Sequence, residues 1–220
     1  REILSETFTI GLPALGTTFV SCFGYIAFAR MVSGMGTTIF AAHSIAITAE
    51  QIVYIPGYGL RVATSTLVGN ALGEKDIRKL KATGRVSILI TLLIMVVNGI
   101  GLYLFAYPFM RLFTNSVNAA RIGSEMLRLV SFSEPFFGLM IVLEGISYGM
   151  GRTKHVFACE AVSMWGIRIF GTFLCVNVFG LGLKAVWLCM IADNICKAIL
   201  LYIFRPKHVE ENADDRGELR

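Results

Sequence analysis

Long apolar stretches separated by short runs of charge are the feature that most restricts how this chain can fold. Crossing the hydrocarbon core of a bilayer takes roughly 20 predominantly apolar residues in a helix. Six segments meet that length, at about 8–29, 38–72, 86–109, 119–149, 155–178 and 183–204. Only 16% of the 220 residues are charged and 55% are hydrophobic, whereas soluble domains are about a quarter charged. The expected fold is therefore all-α: a polytopic membrane six-helix bundle with lipid as its main solvent. A polar tail at 205–220 follows, without a hydrophobic face, and is expected to be a disordered cytoplasmic end. The opening Arg1-Glu2-Ile3, in place of Met, predicts that the chain belongs to a longer protein.

Basic residues between the apolar segments set the expected orientation. One side collects Arg1, Lys75, Arg78, Lys79, Lys81, Arg85, Arg152, Lys154, Arg205, Lys207, Arg216 and Arg220, making 12. The other collects Arg30, Arg111, Arg121 and Lys184, making 4. Short cytoplasmic loops are enriched in Lys and Arg, which puts both ends of the segment in the cytoplasm, as an even number of spans requires. The net charge of +5 then belongs to membrane loops, and nucleic acid is not an expected partner. The five cysteines lie inside apolar segments without a CxxC pair, so they read as free thiols with no metal site.

Catalytic patterns are missing. Gly34-x-Gly36 and Gly149-x-Gly151 fall between helices with no strand before them, so they are not nucleotide fingerprints. There is no HExxH and no Ser/His/Asp arrangement. A membrane enzyme should cluster His or Asp at one face, and a channel subunit should repeat a ring-forming motif; neither pattern occurs. No organic cofactor is expected.

Two segments are too long for a simple span. Segment 38–72 would run roughly 50 Å as a helix, against a core of about 30 Å. Pro56-Gly57 interrupts it, and Pro135 interrupts 119–149. Each proline frees a backbone carbonyl, so each site is either a packing kink or a hinge in a cavity wall. Gly69-xxx-Gly73 and Gly145-xxx-Gly149 match the small-residue pattern of close helix contact.

Charges inside spans are costly and usually face a cavity or a partner. The acids are Glu50, Glu134, Glu144, Glu160 and Asp193, and the bases are Arg61, Arg128, Arg168 and Lys197. Glu50 lies roughly 18 Å and Glu134 roughly 22 Å below the outer surface, near mid-bilayer, with Glu144 toward the cytoplasmic face. On an ideal helix His43, Glu50, Tyr54, Gly57 and Arg61 fall within roughly 60° of one another, forming one polar stripe. The candidates for binding a coupling ion or substrate are Glu134, Glu50, Glu144 and Tyr54. Glu50 and Glu134 are expected to face one aqueous vestibule, unless Ser131 and Ser133 satisfy Glu134 as a structural group. Asp193 and Lys197, spaced i,i+4, read as a self-neutralising pair. Arg168 needs a partner from another helix or a lipid headgroup, and His43 reads as a packed histidine.

The run Ala41-Ala42-His43-Ser44-Ile45-Ala46, then Glu50, Pro56-Gly57-Tyr58-Gly59 and Ala63 through Gly73, resembles the eighth helix of the multidrug and toxic compound extrusion (MATE) family. Ile10-Gly11-Leu12-Pro13-Ala14 resembles the start of the seventh, Gly145 to Thr153 the end of the tenth, and Gly182 to Leu188 the entry to the twelfth. The resemblance implies the C-terminal lobe of a twelve-helix secondary antiporter in the cell membrane. Such a protein exports cationic or amphipathic drugs and xenobiotics in exchange for Na⁺ or H⁺. The implied partners are the bilayer, small cationic or amphipathic substrates and a missing N-terminal six-helix lobe. A lipid-linked precursor flippase of the same superfamily is the alternative. Pro13, Pro56, Gly57, Gly59, Gly69, Gly73 and Pro135 form the expected hinge and packing set. Some members place a cation-binding Glu in the seventh helix, where Ser21 aligns, and an Asp in the tenth, near Phe137. That ion site is therefore not implied here; Glu134, one turn earlier, or the companion lobe is left to supply it.

Overall fold

The computed structural model describes residues 2–204, with side chains from Phe8 onward; the expected tail at 205–220 lies outside the described residues. Seven helices follow one another: α1 (Glu2–Ser33), α2 (Thr37–Gly73), α3 (Ile77–Arg111), α4 (Val117–Ser131), α5 (Glu134–Gly149), α6 (Thr153–Val178) and α7 (Leu183–Ile203). Among the described residues there is no strand. Among the described residues five helices are long and apolar enough to span a bilayer, and α4 with α5, counted together as one bent span, would make a sixth. The apolar pattern set the third segment at 86–109, but α3 starts at Ile77. The Asp76 side chain caps it by accepting from the Lys79 amide at 2.9 Å, so the basic run continues the helix beyond its apolar part. Gly36, with φ at 115°, makes the turn into α2 that L side chains rarely adopt.

The two prolines act differently. Helix α2 runs through Pro56 without a break. Asn98 of α3 donates to the Val53 carbonyl at 3.1 Å, next to the Ile52 carbonyl that Pro56 leaves without its helical donor. At Pro135 the chain does break, with α4 and α5 meeting at 60°. The Ser133 hydroxyl donates to the Val130 carbonyl at 2.8 Å and the Ser131 hydroxyl to the Arg128 carbonyl at 2.7 Å, which satisfies the end of α4. The single segment expected at 119–149 is thus two elements.

Helix α5 is the most buried element and rests against α2 along backbone. A Cβ on Gly145 would lie 2.7 Å from the Arg61 carbonyl oxygen, and one on Gly149 would lie 2.5 Å from that of Ser65. Only glycine allows this approach. Gly57 similarly admits the Met95 methyl, whereas Gly59 and Gly73 face open space and Gly69 has only a 3.5 Å neighbour. Two apolar clusters form the interior. One is built around Trp187, Met110 and Leu127, the other around Met95, Ile141 and Tyr54. Outward faces are equally apolar: Phe8, Leu12, Leu15, Phe19, Phe23 and Ile26 of α1 are all exposed, as are Leu89, Leu93, Val97 and Leu104 of α3. In water such faces would be an aggregation surface; in hydrocarbon they are the matching solvent.

Candidate functional site

An open cavity of about 560 Å³ lies among α1, α2, α5, α6 and α7, and most of the intramembrane charge converges on it. Helix α1 contributes Ser21 and Tyr25, α2 Tyr58 and Arg61, and α5 Phe137 and Glu144. Helix α6 adds Glu160 and Arg168, and α7 adds Asn194 and Lys197. Helix α6 passes Met164–Ile169 and Leu174–Val178 in wide, π-type turns. Such turns carry an extra residue per turn and shift the faces that follow, and they often occur at functional sites. Arg168 lies in the first of them.

The charges are paired across helices. Arg61 reaches Glu144 at 3.1 Å. Lys197 lies 2.5 Å from Glu160 and 3.9 Å from Asp193. Arg168 Nε lies 2.8 Å from Asp193, and its guanidinium sits over the rings of Tyr25 and Phe28 at 5.4 and 5.8 Å. The Ser21 hydroxyl donates to Glu160 Oε1 at 2.5 Å, and the Ser163 hydroxyl donates to Asp193. Three cations on the wall thus meet three carboxylates, Glu144 and Glu160 beside them and Asp193 behind, and the cluster is close to neutral. The i,i+4 pair expected on α7 is divided: Lys197 turns chiefly to Glu160, and Asp193 to Arg168. Helix neighbours lost to shorter contacts that only the packing of α6 against α7 supplies.

Glu50 and Glu134, the acids expected to share a vestibule, do not line this cavity. Glu50 is buried and accepts a hydrogen bond from the Tyr54 hydroxyl at 2.5 Å. The Tyr54 ring stacks on Phe137 at 3.7 Å, and Phe137 is what the cavity meets, so Glu50 lies one aromatic layer behind the wall. Glu134 is fully buried against α3, where a Cβ on Gly99 would come within 3.2 Å of Glu134 Cβ. Neither of its carboxyl oxygens has a hydrogen-bond partner, because Ser131 and Ser133 spend their hydroxyls on backbone carbonyls. Of the four candidate binding residues only Glu144 meets the open cavity. His43 accepts from the Trp187 indole at 3.2 Å and packs on Phe28, as a core histidine. Among the described residues no group of His, Cys, Asp or Glu could hold a metal ion, and all five cysteines are free.

Sequence reading missed Ser21, Tyr25 and Tyr58 as cavity residues, left Glu160 without a role and gave Lys197 only its i,i+4 pair. Ser21 had a signal, since the resemblance aligns it with the seventh-helix Glu of some family members. Here that place holds a carboxylate by hydrogen bond, that of Glu160 from α6.

A helical bundle with apolar outer faces and a side cavity on which most of its immersed charge converges is a multi-pass membrane protein. A family model described as MatE matches residues 13–174, and the chain belongs to that family. A probable multidrug resistance protein NorM of Thermotoga maritima is 30% identical over 201 residues, covering 90% of this chain and 43% of that protein. A probable NorM of Photorhabdus laumondii is 28% identical over 204 residues, covering 91% and 45%. The chain spans less than half the length of these curated relatives. The crystal structure of a MATE protein in the straight conformation superposes with a TM-score of 0.84 at 21% identity, covering 93% of this chain and 46% of that one. A MOP superfamily transporter from Pyrococcus furiosus gives 0.85 at 16% identity, covering 92% and 45%.

Proposed function

We propose that this chain is one six-helix lobe of a secondary antiporter in the cell membrane, with both ends of the segment cytoplasmic. The whole protein exports cationic or amphipathic compounds in exchange for Na⁺ or H⁺. The observation that supports this most is the cavity itself: an open, aromatic-lined recess with carboxylates at its edge, set in a bundle whose outward helix faces are apolar. Organic cations are recognised by such a combination of ring faces and acids. Tyr25, Tyr58 and Phe137 supply the rings, and Glu144 and Glu160 are the acids that line the recess. Glu50, Tyr54 and Glu134 form a deeper layer assigned to coupling, where ion exchange is shielded from the cargo. The lobe moves as a body against its companion, so that the recess opens to either side in turn. An anionic lipid-linked cargo would call for a clear excess of arginine and lysine, and the three acids cancel the three bases here.

Ethidium efflux from vesicles under an imposed Na⁺ or H⁺ gradient tests the reading. With both lobes present, export should follow one gradient and collapse when that gradient is dissipated. Glu144→Gln should slow it by on the order of tenfold, about 1.4 kcal/mol of lost interaction. Export indifferent to both gradients would refute the proposal.

A further inference from the structure

Lys197 has two carboxylates to choose between, and they differ in what else they do. Glu160 edges the cavity, and Ser21 fixes its Oε1 at 2.5 Å while its Oε2 takes Lys197 at 2.5 Å. Asp193 is fully buried behind it. Its Oδ2, although 2.8 Å from Arg168 Nε, accepts no hydrogen bond, and that Nε donates none. The charge of Asp193 is already paired with Arg168, but its Oδ2 can still accept a hydrogen bond, and Lys197 Nζ stands 3.9 Å from it. Moving Nζ by about 1 Å would bring it within ordinary hydrogen-bond distance. A flexible lysine stem makes that move at little cost, since its three donors rotate freely.

We propose that Lys197 is a resident stand-in for cargo. An organic ammonium ligand entering the cavity takes the Glu160 carboxylate, and Lys197 turns to Asp193. The proposal rests on the export reading and deepens it by naming the carboxylate that receives the cation and the charge that leaves. Tyr25, Tyr58 and Tyr148 line the same space and offer faces to an organic cation. With ligand bound, Arg168 and Lys197 share one carboxylate, leaving one positive charge uncompensated. That excess holds binding in check, and a carrier must release what it binds. It also makes Lys197 a direct competitor, so removing it has a predictable sign.

Ethidium binding, read by fluorescence on the purified transporter with both lobes in lipid nanodiscs, is the test. Lys197→Met should tighten binding tenfold or more, Glu160→Gln should weaken it tenfold or more, and the double variant should bind no better than Glu160→Gln. Lys197→Arg keeps the charge, so the fold does not hinge on it. Its fork grips a carboxylate bidentately, and binding should weaken several-fold. If wild type binds ethidium but the Lys197 variants stay within twofold, or Glu160→Gln keeps full affinity, the displacement is wrong and the export reading stands. If neither wild type nor Lys197→Met binds, the export reading fails and takes the displacement with it. Sodium that competes with ethidium in wild type at constant ionic strength, but not in Glu160→Gln, would give the site to the coupling ion and overturn the proposal.

Discussion

Glu134 and Asp193 are both completely buried acids, and their neighbours separate them. Asp193 has Arg168 at 2.8 Å and the Ser163 hydroxyl, so it belongs to a paired network. Removing one member of a buried pair strands the other, at a cost of about 3–5 kcal/mol. Asp193→Ala should therefore lower the melting temperature in detergent sharply, and Asp193→Ala with Arg168→Met should recover part of it. Glu134 has no hydrogen bond to lose. Glu134→Gln keeps the shape and removes the ionisable group, so thermal stability should hold or rise. If Glu134 belongs to the coupling layer, the same variant should lower cation-driven dye efflux by on the order of tenfold. Normal efflux at normal expression would remove it from the mechanism.

At the scale of elements, the contact of α5 with α2 sets how the cavity is walled. Gly145 and Gly149 let the two backbones meet, and any side chain there must push them apart. Gly149→Leu should cost at least about 1–3 kcal/mol, as overpacking does, measurable as a lower melting temperature. Gly73→Ala, facing open space, should not. The proline in α2 and the proline at the start of α5 had looked alike in sequence. They differ because α2 is braced by Asn98 from α3, while the serines at the α4 end close off its carbonyls and let the chain turn. Asn98→Leu should thus destabilise the protein by about 1 kcal/mol, the usual worth of one such bond.

At the scale of the whole molecule the polar cavity is open and the outward faces of the long helices are apolar. Hydrocarbon cannot satisfy Arg61, Glu144 and their neighbours, so the proposed architecture gives that face a companion lobe and water. The chain alone should therefore bind membranes yet transport nothing. Co-expression with the missing half should restore ethidium export, and export by the chain alone would point to a homodimer instead.

Periodicity, length and charge placement in the sequence determined the membrane class, the succession of spans and the inventory of immersed charges. These are local properties: hydrocarbon thickness fixes the length of a span, and the cost of a buried charge marks it in any context. Which acid meets water was decided only in three dimensions. Glu50 and Glu134 were expected at the right depth, but a stacked Tyr54–Phe137 pair and the bend before Pro135 keep them off the cavity. Glu160, Arg168 and Lys197 gained their roles from α6 and α7 packing side by side, with a π-type turn aiming Arg168. Depth along a helix is written in the chain. The direction a side chain faces and the partner it finds depend on neighbours remote in sequence, and only the packed bundle supplies those.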